Sequence, residues 1–229
     1  MSDDTHPIQA LDTGQSQAEL EQLLADHRQH LKALPETAPA ADRARVRLDI
    51  AEALLGLGRN AEAWDEARAV FDTFIDNELW QEAVEACDIL YRCDQPESIL
   101  ALGNGTWLAV TYPIAPATSV AMLHHIVDET PERSDGGAVA AAAAHYLADL
   151  RTEGREHESL TFLTAQILGR VAERHRDIKD PEMINVWMEA LQLNDPGEFL
   201  PRLGKVLEVI VNDNWWYDRD ALRARLPVN

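Results

Sequence analysis

The chain has 229 residues, 46% of them hydrophobic, with 40 acidic against 20 basic side chains and a formal charge of −20. A chain of that length buries a sizeable core, so global disorder is excluded. The acidity works against binding to nucleic acid and to anionic membrane faces, since either would need a local basic patch. Arg43, Arg45 and Arg47 are the nearest to one, and Asp42 and Asp49 flank them. The acidity therefore favours a basic protein partner, or solubility alone in an Arg- and Ala-rich or salt-adapted composition; the only lysines are Lys32, Lys179 and Lys205.

Residues 1 to about 14 read as an acidic, polar leader with no basic-then-apolar signal pattern. No stretch approaches the roughly 18 apolar residues of a membrane span. The expected compartment is the cytoplasm. From Ser16, Leu20, Leu23, Leu24, Leu31 and Leu34 recur at helical spacing, and Ser16 with Glu19 forms a capping box. The Pro- and Ala-rich run at 35–41 then reads as a linker, which would make the first helix an arm. Residues 1–40 thus form a leader with a helical arm.

Asp42 caps a helix with a Val46, Ile50, Leu54, Leu57 stripe, and Gly58 ends it. A second helix carries Ala63, Ala67, Val70, Phe71 and Phe74 on one face. This αα-hairpin, residues 44–75, resembles a tetratricopeptide repeat unit: Ala51, Leu54, Gly58, Ala63, Ala67 and Val70 fall where that family places its packing residues. It departs at Arg47, where the family has Trp, and at Ile75, where it has Pro. The resemblance implies peptide or protein binding on a helical groove.

A third helix is predicted over 78–93, and Pro96 suits the first position of a fourth that runs through Leu102. Trp107, Leu108, Val110 and Tyr112 with Pro113 and Pro116 predict an extended connector over 103–116. That places a boundary between a half at 41–112 and a half at 113–229, the two packed as one globular unit. The second half shows helices at 118–129, 137–151 and 160–175, then two after Asp180-Pro181 and Asp195-Pro196, and a short one after Asp218. The fold class is all-α, about ten helices in consecutive antiparallel hairpins, an α-solenoid or irregular bundle.

The chemistry-bearing residues are few. His124, His125 and His145 each precede an acid by four residues, which puts His and carboxylate on one helix face. On facing helices they would suit a metal-dependent enzyme, although neighbours 124 and 125 point about 100° apart. His27 and His30 lie together on the arm. Cys87 and Cys93 lie about 9 Å apart on a helix, beyond disulfide reach, and the acids around Cys87 oppose a reactive thiolate. Gly103-Asn104-Gly105 lacks the third glycine and preceding strand of a dinucleotide fingerprint, and no phosphate-binding or nucleophile-elbow motif occurs. No cofactor is indicated.

Between residues 60 and 100, 11 acids face two bases, Arg68 and Arg92. Most lie off the apolar stripes, and a basic partner segment would be steered to them. Glu62, Trp64, Glu66, Glu82 and Glu85 are the expected partner-binding residues. Trp215 and Trp216 are further anchors, into the chain's own core or into a partner. The leading expectation is a cytoplasmic protein-interaction module, an adaptor or assembly factor for a basic or extended segment. The chain is also similar in size, acidity and helix content to the assembly chaperones of molybdoenzymes, which would make it a chaperone for a cofactor-containing enzyme. Their Glu-Pro-x-Asp-His motif is missing, and Asp128-Glu129-Thr130-Pro131 is its nearest counterpart.

Overall fold

A computed structural model describes residues 16–226, so the acidic leader lies outside the described residues. The described chain is helical throughout, without a strand. Its helices are α1 (Gln17–Ala33), α2 (Ala40–Gly56), α3 (Asn60–Asp76), α4 (Trp80–Arg92), α5 (Ser98–Thr111), α6 (Pro116–Glu129), α7 (Asp135–Arg151), α8 (Gly154–Arg176), α9 (Pro181–Ala190), α10 (Pro196–Val211) and α11 (Arg219–Arg223). None is long and apolar enough to cross a membrane.

The local starts and stops follow the side chains. The Ser16 hydroxyl accepts from the Glu19 amide at 3.3 Å, and the Glu19 carboxylate accepts from the Ser16 amide at 2.6 Å. That reciprocal pair satisfies two of the donors a helix start leaves open. Asp180, Asp195 and Asp218 cap α9, α10 and α11 through their own carboxylates, which accept from backbone amides of the first turn, the first two with proline at the first helical position. Gly58, at φ +71°, turns α2 into α3. At several helix ends an arginine supplies the missing donor. Arg151 reaches from α7 to the Ala109 and Val110 carbonyls at the end of α5, both at 2.9 Å. Arg174 donates to Val127 O at the end of α6 at 2.9 Å. Arg202 donates to Leu191 O after α9 at 2.5 Å.

Consecutive helices pack against each other from α1 to α9, and a second set of contacts joins α2 to α4, α4 to α6 and α6 to α8. Helices α2, α4, α6 and α8 therefore form one continuous layer, as in stacked hairpins. On the other side α10 returns to pack on both α5 and α7. The sequence allowed α1 to swing free; it lies on α2, with Leu24 buried and Leu31 and Leu34 packed on the core.

The structure corrects the sequence reading in two places: Asp42 does not cap α2 but lies in its first turn behind Pro39, and the connector expected over 103–116 is mostly helix. Residues 103–111 are helix, not extended connector, and α5 runs unbroken from Ser98 to Thr111. Pro96 precedes the helix instead of opening it, since Glu97 is its N-cap. Only residues 112–115 break the chain before Pro116 opens α6. Every residue from 101 to 109 is buried. A Cβ on Gly103 would lie 2.4 Å from Val211 Cγ2 of α10, and one on Gly105 would lie 2.4 Å from Cys87 Cβ of α4. The two glycines thus serve close helix packing. The alanine run of α7, Ala140 to Ala144, is likewise buried, and its thin side admits α6, α8 and α10.

Candidate functional site

The acidic residues singled out in the sequence fall on two neighbouring helices, α3 and α4. Most of them are matched by arginines. On α3, Glu62 receives two guanidinium hydrogen bonds from Arg59, at 2.7 and 2.6 Å. The Arg59 hydrogen bond holds its carboxyl below the usual range. Glu66 is paired with Arg47 of α2 at 2.6 Å, and Glu85 of α4 with Arg45 of α2 at 2.6 Å. Glu82 has no ion pair among the described residues. Trp64 is partly buried against the core. Arg43 donates to the Pro35 carbonyl. The arginines of α2 therefore cross-link elements and do not form a free basic patch.

Across α2, α4 and α6 the polar side chains form a ladder from helix to helix. Arg45 of α2 pairs with Asp49 at 3.4 Å as well as with Glu85. Gln81 of α4 donates to Thr118 of α6 at 3.1 Å and accepts from the Ala115 amide at 2.9 Å. Asp88 of α4 meets His125 of α6 at 3.2 Å. The His125 ring lies 4.6 Å from the Tyr91 ring, and Tyr91 donates to Glu129 at 2.8 Å. Burial raises the Asp88 carboxyl, but the His125 hydrogen bond and charge, with Arg92, outweigh it and bring it below its ordinary value. Burial also raises the Tyr91 hydroxyl, helped by Glu129.

The three histidines of the metal-enzyme reading do not converge. His124 is buried, with Arg170 of α8 donating to its Nε2 at 3.1 Å and Asp128 3.6 Å from its Nδ1. His125 faces Asp88, as above, while His145 bonds Thr164 of α8 through Nδ1 at 2.8 Å. Among the described residues no group of three or more His, Cys, Asp or Glu side chains is placed to hold a metal ion. Burial lowers the His145 imidazole. A further histidine, His175, is buried between the indole N–H of Trp187, which donates to Nδ1 at 3.0 Å, and Asp135, 3.1 Å from Nε2. That leaves Nε2 as its donor and ties α7, α8 and α9 together. Cys87 and Cys93 are free and buried. Burial pushes the Cys87 thiol well up and the Cys93 thiol to about 11, so neither supplies a thiolate near neutral pH.

The aromatic run anchors in the chain's own core. Trp216 meets Phe71 of α3 edge-on at 5.2 Å, and Trp107 of α5 meets Tyr217 at 5.4 Å and Trp215 at 6.5 Å. Tyr217 donates to the Asn104 carbonyl at 2.6 Å, and the Trp216 amide donates to Asn104 Oδ1 at 3.0 Å. Guanidinium groups cover the rings: Arg219 lies 3.9 Å over Trp215 and Arg68 4.6 Å over Trp216. Beside this cluster, between α3 and the segment that carries α11, opens a groove of ≈ 460 Å³. Asp72 and Asp76 of α3 reach it, as do Trp216 and Asp218. Arg68 and Arg225 also line it, and no sequence pattern joins them, because 157 residues (225 − 68) separate them.

No family model, no curated protein and no solved structure matches the chain.

Proposed function

We propose that this chain is a protein-interaction module of the adaptor or assembly-factor kind, one that engages a basic or extended segment of a partner protein in the cytoplasm. The observation that carries the reading is the face of α2, α4 and α6. These helices touch in series, and Asp49, Glu82, Glu85, Asp88, Asp128 and Glu129 lie along them. Among the described residues, Arg45 and Arg92 are the arginines of these helices paired with those acids, and His124 and His125 face Asp128 and Asp88. A layered face with a carboxylate surplus steers and orients a basic segment, and it repels nucleic acid. Stacked hairpins are also what the resemblance of residues 44–75 to a tetratricopeptide unit implies.

The test is affinity capture from the source cells with wild-type chain, with the Glu82→Lys/Glu85→Lys variant, and with Glu189→Lys on α9 as a control. The expected result is a partner held by wild type and by the control, released as salt rises and lost with the double variant. A partner held equally by the double variant, or none at low salt, overturns the reading.

A further inference from the structure

The groove between α3 and α11 goes beyond that face and involves different residues. Its first wall is one side of α3, where Arg68, Asp72, Ile75 and Asp76 recur at three- and four-residue spacing. Its second wall is the chain's return past Trp216 to Leu222 and Arg225. Ile75, Trp216 and Leu222 give it an apolar part. A volume of ≈ 460 Å³ lies within the roughly 300–1,000 Å³ of small-ligand sites, enough for one or two side chains of an extended segment.

The charges decide the occupant. Both guanidiniums already have partners: Arg68 pairs with Asp72 at 3.4 Å and rests on Trp216, and Arg225 pairs with Glu78 at 3.6 Å. The acids Glu62, Glu66 and Glu85 elsewhere on this surface each have an arginine. Asp76 and Asp218 of the groove have no ion pair among the described residues. Asp218 is moreover held in place, since its Oδ1 accepts from the Asp220 and Ala221 amides at 3.0 Å each. An anion would meet a surplus of carboxylates, and a purely apolar group would desolvate two of them without compensation. A side chain with an apolar stem and a cationic head satisfies both parts of the groove, the stem along Ile75 and Trp216 and the head at the two carboxylates.

We propose that the groove between α3 and α11 is a binding site for a basic side chain, arginine or lysine, on an extended segment of a partner protein. The site stands apart from the α2–α4–α6 face, so either can fail without the other.

The experiment titrates the full chain with a blocked Ala-Ala-Arg-Ala-Ala peptide and with the same peptide carrying citrulline, an uncharged isostere of arginine. The readout is the indole N–H resonance of Trp216, assigned through Trp216→Phe. The arginine peptide is expected to shift this resonance saturably, and the citrulline peptide to leave it in place. Asp76→Asn/Asp218→Asn keeps an N-cap residue at 218, so α11 stays capped while both charges go. It should weaken the arginine peptide by about tenfold or more. Glu82→Lys/Glu85→Lys should bind this peptide as wild type does. An equal shift with citrulline, an unchanged affinity in the Asn variant, or no saturable shift at Trp216 each overturns the proposal.

Discussion

α5 and α9 each carry a tryptophan and several aliphatic side chains, and they live in opposite surroundings. α5 is packed by α4, α6 and α10, and the C-terminal aromatics cover it further. α9 packs on α8, buries Trp187, and leaves Met183 49% and Val186 53% exposed. The contrast shows that tolerance to change in this fold follows how many sides of a helix are occupied.

The strongest way to test that contrast is Gly105→Val. Its side chain would collide with Cys87 of α4 and Met122 of α6. Overpacking of that kind costs about 3 kcal/mol, and at this chain length the melting temperature should fall by roughly 6–12 °C. An unchanged melting curve would mean that α4 and α6 do not close on α5. Arg151→Met should come next, because it strips three donor contacts from the Ala109 and Val110 carbonyls and the Ser119 hydroxyl. About 1–3 kcal/mol of stability should be lost in denaturant titrations.

A smaller effect is expected from His145. Burial holds its imidazole below 6.5, the value it recovers on unfolding. The unfolded chain therefore takes up the proton first as pH falls. This contribution is complete above about 6.5 and is lost as pH drops through 6.5 towards the lowered folded value. His145→Asn should flatten the fall in melting temperature between about pH 7.5 and about pH 5.5; an identical slope would remove His145 as its source. Asp88, also lowered on folding, acts in a more acidic window: its contribution is present above its ordinary carboxyl value of 3.8 and fades below it. Smallest of all, Met183→Ser on α9 should change stability by no more than about 0.5 kcal/mol, and a larger loss by calorimetry would show that this side of α9 is covered.

The same contrast explains what could be read in advance. The α2–α3 hairpin and the starts of α9, α10 and α11 were legible, because half-buried helices carry a one-sided stripe and the capping residues announce themselves. α5 was not. A helix buried on all sides loses its polar face, and with it the periodicity that marks a helix. Trp107, Val110 and Tyr112 then look like strand formers. At the site, Trp216 was visible as an anchor, but its neighbours were not. Asn104 lies 112 residues from Trp216, and Arg170 lies 46 from His124; no local pattern links such pairs.

The return of α10 also sets an order of events at the ribosome. Gly103 and Asn104 are synthesised more than 100 residues before Val211, Trp216 and Tyr217, which close over them; the Asn104–Trp216 hydrogen bond spans 112 positions. Until those last segments emerge, one flank of the most buried helix stands open to solvent. A nascent chain paused after α8 presents that flank to chaperones, to proteases and to other nascent chains, and the hazard ends when the C-terminal aromatics dock.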